Sequence, residues 1–121
     1  MSIPTLANIQ LYKSDQELLD ALLRQVNKDF QAIEDPVFNA DAGMSWDNMM
    51  EELEPLIDRL VNLDSERFFR LLYTIDVDEK KVKQILFGTH ENRTSWSLSV
   101  LILERELLKV VTKKHFSKSI E

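Results

Sequence analysis

A chain of 121 residues, 44% of them hydrophobic, is long enough for one domain with a real core and too apolar for wholesale disorder. It contains no cysteine, which excludes disulfides, thiol catalysis and cysteine-ligated zinc or iron–sulfur centres. Its 21 acidic residues outnumber 15 basic ones, a formal net charge of -6, and that average field repels nucleic acid.

Residues 1–13 read as an N-terminal arm in which Ile3, Leu6, Ile9 and Leu11 are placed to lie against the body of the domain. The segment has neither the basic start nor the long apolar run of a signal peptide. A first helix opens at Ser14, which with Glu17 makes a capping-box pattern. Leu18, Leu19, Leu22, Leu23, Val26, Phe30 and Ile33 then share one side, and the helix should end ahead of Pro36. Residues 34–45 are rich in Pro, Gly, Asn and Asp and read as a loop, with Val37 and Phe38 turned inward.

Ser45 caps a second helix whose apolar arc comprises Trp46, Met49, Met50, Leu53, Leu56, Ile57, Leu60, Val61 and Leu63. Pro55 lies within it. Either the helix is kinked there or two helices meet there, and the unbroken phase of the arc favours one kinked helix. Asp64 or Ser65 caps a third helix, expected to bury Phe68, Phe69, Leu71, Leu72, Tyr73 and Ile75. Asp76, with Glu79 behind it, is expected to cap a short fourth helix at about 77–87 that Gly88 ends. The last helix opens at Thr94 or Ser95 and is apolar on nearly every side before Glu104, so it belongs in the centre. Residues 117–121 read as a loose tail. Strand signals are nearly absent. The fold expected is all-α, a single compact bundle of about five helices around an apolar C-terminal helix.

Motifs for chemistry are missing. His90 and His115 are not spaced as a ligand pair, and no HExxH or ExxH occurs. Glu51, Glu52 and Glu54 lie on a polar side, and Asp76, Asp78 and Glu79 lack the rest of a calcium loop. There is no GxSxG, and Gly43 and Gly88 are the only glycines available to cradle a phosphate. No cofactor, metal or catalytic residue is therefore expected. Lys80, Lys81 and Lys83 read as a solvated face rather than a DNA reader, and Lys113, Lys114 and Lys118 as a basic helix end. The longest aliphatic run, Val100 to Leu103, is far short of the roughly 20 residues of a membrane helix. A cytoplasmic protein with no membrane or nucleic-acid partner is the expectation.

Glu104 is the one position that looks odd. Helical phase puts it inside the apolar arc, while Arg105 and Glu106 project away from it. A buried carboxylate needs a partner, for which Arg59, Tyr73, His90 and Trp96 are the candidates. Two functions of different class follow. The first is a non-catalytic protein that binds a protein partner or a second copy of itself, with Phe38, Met44, Trp46, Met49 and Met50 as the interaction residues. A regulatory partner of DNA-binding proteins is a variant of it. The alternative is a small-molecule binder or helical enzyme with a pocket near Glu104, walled by aromatic residues such as Phe69, Tyr73 and Trp96.

Overall fold

A helix that is apolar all round has to be surrounded, and that requirement organises the architecture. The computed structural model describes residues 3–88 and 93–120, with side chains through Ser117. Five α-helices form among them: α1 (Gln16–Phe30), α2 (Trp46–Leu63), α3 (Ser65–Ile75), α4 (Glu79–Phe87) and α5 (Thr94–Ile120). Short 3-10 helices at Leu6–Tyr12 and Gln31–Ile33 precede and follow α1. The all-α class and the central C-terminal helix are as the sequence implies: α5 packs against all four other α-helices and against the N-terminal 3-10 segment. Among the described residues no helix is long and apolar enough to cross a membrane.

The helix starts follow side-chain capping, with two shifts from the sequence pattern. Asp15 rather than Ser14 caps α1, its carboxylate accepting from the Leu18 amide at 3.3 Å. Ser45 and Asp64 cap α2 and α3 as expected. Asp76 does not open α4. It ends α3 in the left-handed region at φ 65°, and Asp78 caps α4 by accepting from the Lys80 amide. The turn after α3 is a Schellman motif, in which the Val77 amide donates to the Leu72 carbonyl and the Asp76 amide to the Tyr73 carbonyl. Pro55 is carried within one continuous helix and faces solvent. The stretch expected to be a loose tail is helical through Ile120.

Loop 34–45 is an ordered connector fastened along the polar edge of α1. The Asn27 side chain exchanges two hydrogen bonds with the backbone of Phe38, at 3.2 and 3.1 Å, as a neighbouring strand would. The Gly43 amide donates to Asp20 at 2.9 Å, from a backbone with φ 87° that favours glycine. Of the arm residues Ile9 is fully buried, while Ile3 and Leu11 stay exposed. Lys13, at the end of the arm, closes this corner. Its ammonium lies 2.6 Å from the Glu104 carboxylate on α5 and 4.2 Å from the centre of the Trp46 ring at the start of α2.

Lys13→Ala removes a half-buried ion pair and a cation–π contact together, and should lower unfolding free energy by about 1–2 kcal/mol. Urea denaturation of the variant, of Glu104→Ala and of the double variant checks it. The coupling energy between the two positions should be favourable and clearly different from zero.

Candidate functional site

Two features rise above ordinary packing: a charge cluster around a fully buried acid, and an exposed apolar groove on the surface. The cluster is built from three elements. Lys109 on α5 reaches Asp29 on α1 at 2.8 Å, Glu106 one turn back on α5 at 2.8 Å, and the carbonyl of Ile75 at the end of α3 at 3.4 Å. Gln25 donates a further bond to Asp29 at 3.0 Å. Glu106 is completely buried, and neither of its oxygens makes a well-aligned hydrogen bond among the described residues.

Two carboxyls around one ammonium leave an excess negative charge in an apolar setting. Burial first, then contact with the Asp29 carboxyl, pushes Glu106 up to about 8 against the pull of Lys109. Burial also works to raise Asp29, but its contacts with Glu106, Lys109 and Gln25 outweigh that and hold it below its usual value. For Lys109 burial works downward, and the two carboxyls outweigh it and raise it. At neutral pH the cluster therefore carries an Asp29 carboxylate, a protonated Glu106 and a Lys109 cation, and is close to neutral overall.

This is not the arrangement expected around Glu104. Glu104 is partly exposed, paired with Lys13 and bonded to Gln10 at 3.2 Å. Glu106, expected to project away, is the buried acid. Of the partners considered for Glu104, Arg59 pairs with Asp35 at 2.9 Å and Tyr73 is 90% exposed. Trp96 is partly buried beneath Arg93, and His90 lies outside the described residues. These residues do not converge on one pocket. No group of acids and histidines among the described residues is placed to hold a metal ion.

The interaction residues expected near the loop are packing residues instead. Phe38, Met49 and Met50 are buried, and Met44 and Trp46 lie partly buried against the core. The fastening of loop 34–45 folds Phe38 down onto the helices, while Met49 and Met50 belong to the core face of α2.

The exposed apolar surface lies elsewhere, between α3 and α4. Phe68, Leu71, Leu72 and Ile75 already supply the core face of α3, so Phe69 and Tyr73, one turn apart beside it, point outward. Phe87 at the end of α4 is 81% exposed. With Leu72, Val77, Val82 and Leu86 these rings line a groove of about 950 Å³. Asp76, Asp78 and Glu79 form its rim at the α3–α4 corner, and Lys83 stands on the α4 side. Arg105 on α5 fixes that corner by donating to the Asp76 carbonyl at 3.0 Å, close to the point where Lys109 meets the Ile75 carbonyl. Both cations thus sit at the negative end of the α3 dipole.

Comparison with known protein families, with curated proteins and with solved structures finds no significant match.

The cluster makes stability depend on pH in a definite direction. Glu106 has its folded value raised from 4.5 to about 8, so the folded chain holds a proton that the unfolded chain has lost between those limits. Its contribution is fully present below 4.5 and is lost as pH rises through about 8, at up to about 1.4 kcal/mol per pH unit. The lowered Asp29 loses its contribution only as pH falls below its usual 3.8, and the raised Lys109 only above its usual 10.5, so neither acts in this window. Urea denaturation from mildly acidic to mildly alkaline pH should show wild type weakening steadily. Glu106→Gln should flatten the slope by about one proton; an unchanged slope would contradict the assignment.

Proposed function

We propose that this protein is a non-catalytic binding module that takes an amphipathic helix of a protein partner into the groove between α3 and α4. The observation that carries the reading is the exposure of Phe69, Tyr73 and Phe87 around one apolar groove with an acidic rim. Aromatic side chains are expensive to leave in water and are enriched at the centres of protein interfaces. Grouping three of them outside an otherwise well-filled core is consistent with a surface kept for contact.

Shape and charge favour a helix as the occupant. The walls are two helices, the shorter of 9 residues, or about 14 Å, which matches about two and a half turns of a partner helix. Asp76, Asp78 and Glu79 at one end favour a partner with basic residues beside its apolar anchors. The apolar floor, with charge confined to the rim, fits a protein surface better than an enzyme's reacting centre, where polar groups converge on one point.

The test uses an isotope-labelled chain and two designed helical peptides with the same apolar face, one lysine-rich and one glutamate-rich. The lysine-rich peptide should bind and shift the resonances of Tyr73, Asp76 and Phe87. Tyr73→Ala and Phe87→Ala, both at exposed positions, should each weaken binding by about tenfold without loss of stability. Equal binding of both peptides, or shifts that map to another face, would contradict the reading.

A further inference from the structure

The charge of this chain is unevenly spread, and cations gather where α5 lies beside α1. A cleft of about 450 Å³ opens there between the two helices. Arg24 and Lys28, one turn apart, stand on its α1 wall, and Lys113 and Lys114 on its α5 wall. Among the described residues Glu17 is the one acid that lines it, and Lys114 pairs with that acid at 3.2 Å. Leu18, Ala21 and Val110 lie deeper and give the cleft an apolar floor.

The acids nearest these cations are committed elsewhere. Asp20, one turn before Arg24, attracts it, but its hydrogen bonds go to the Gly43 amide and to Gln16. Asp29, beside Lys28 in sequence, is held by Lys109 and Gln25. Among the described residues Arg24, Lys28 and Lys113 form no ion pair, and all three are exposed. Like charges one turn apart on a helix repel, and so do cations that face one another across a cleft. The cleft therefore keeps a local excess of positive charge on a chain whose net charge is -6.

We propose that this cleft binds a small organic anion carrying at least two phosphate or carboxylate groups. One group meets Arg24 and Lys28 on α1, the other meets Lys113 on α5, and the carbon skeleton lies over Leu18, Ala21 and Val110. Arg24 offers the planar fork that suits either kind of oxyanion. The volume is in the range of small-molecule sites. Charge favours a compact ligand over an extended polyanion such as nucleic acid or an anionic membrane. Charges are screened over about 8 Å at physiological salt, so a small anion senses chiefly the cations of the cleft, whereas a long one also meets the acidic remainder of the surface. The cleft shares no lining residue with the α3–α4 groove, so the proposal does not depend on the reading of that groove.

Titration of the isotope-labelled full chain with citrate, a hexose bisphosphate and inorganic phosphate, followed by NMR, tests this. Citrate or the bisphosphate should bind with a Kd below about 1 mM and shift the backbone amides of Arg24, Lys28, Val110 and Lys113. Whichever binds more tightly identifies carboxylate or phosphate as the preferred group. Inorganic phosphate, with a single group, should bind at least about tenfold more weakly. Arg24→Gln and Lys113→Gln should each weaken binding by about fivefold, while Lys80→Gln, which removes the same charge on α4, should leave it unchanged. All three positions are exposed, and circular dichroism establishes that the variants stay folded. No binding at about 1 mM, shifts spread over lysines elsewhere, equal losses from all three variants, or inorganic phosphate binding as tightly as the larger anions would overturn the proposal.

Discussion

The Lys109 ammonium is the contact on which the interior depends. It faces Asp29 from α1, Glu106 from its own helix and the carbonyl end of α3, so one cation joins three of the five helices. An apolar residue at this position would leave Asp29 without its cation and the Glu106 carboxyl beside it, a large cost for buried polar groups. With Lys109 in place the cost is reduced in two ways. Asp29 is ionised beside a cation, and Glu106 keeps its proton. Such a cluster stabilises less than well-packed leucines would, but it fixes the registers of α1, α3 and α5 relative to one another.

That registration shapes the surface. Lys109 and Arg105 are one turn apart on α5, and together they hold the carbonyl end of α3 and the corner that follows it. From that corner α4 departs as a short helix in which Val82 alone is fully buried among the described residues. A helix so lightly anchored does not cover the outer side of α3. Phe69 and Tyr73 stay uncovered, and Phe87 joins them at the far end of α4. The groove is thus a consequence of how the core is built, with the buried cluster and the proposed binding surface meeting at the same corner.

The architecture was legible where one periodic signal dominated. The apolar arc of α1, the unbroken phase of α2 through Pro55 and the all-round greasiness of α5 each name a single packing solution, and each is realised except at the end of α2, where Leu63 on the expected arc is exposed because the helix stops there against no neighbour it can reach before the turn into α3. The odd acid was misplaced for a physical reason. Before Glu104 the helix has no polar face, so nothing fixes which side of the next turn continues inward. Burial at Ser99, Ile102, Leu103, Glu106 and Leu107 follows a regular three-and-four spacing. The signal that identifies Glu106 is its distance of three and four residues from Leu103 and Ile102, with Lys109 one turn further on to pair with it. On α3 the error was one of excess: Phe68, Leu71, Leu72 and Ile75 already fill a helix face, and the two additional aromatic residues beside it were surplus to the core. Phe38 misled in the opposite direction, because the Asn27 and Asp20 contacts that fold its loop down join residues distant in sequence, and Met49 and Met50 did so because they belong to the core face of α2.

The central claim is that the α3–α4 groove, and not some other exposed apolar position, is where this protein meets a partner. The most direct measurement is site-specific photo-crosslinking in the source cells, with a photo-reactive phenylalanine analogue at position 87 in one sample and at position 63 in another. Leu63 on α2 is as exposed as Phe87 but lies outside the groove, which makes it the right control. The account predicts a discrete adduct from position 87 whose crosslinked peptide is a lysine-bearing helix, and none from position 63. An adduct from position 63 alone, or the same diffuse products from both, would contradict it.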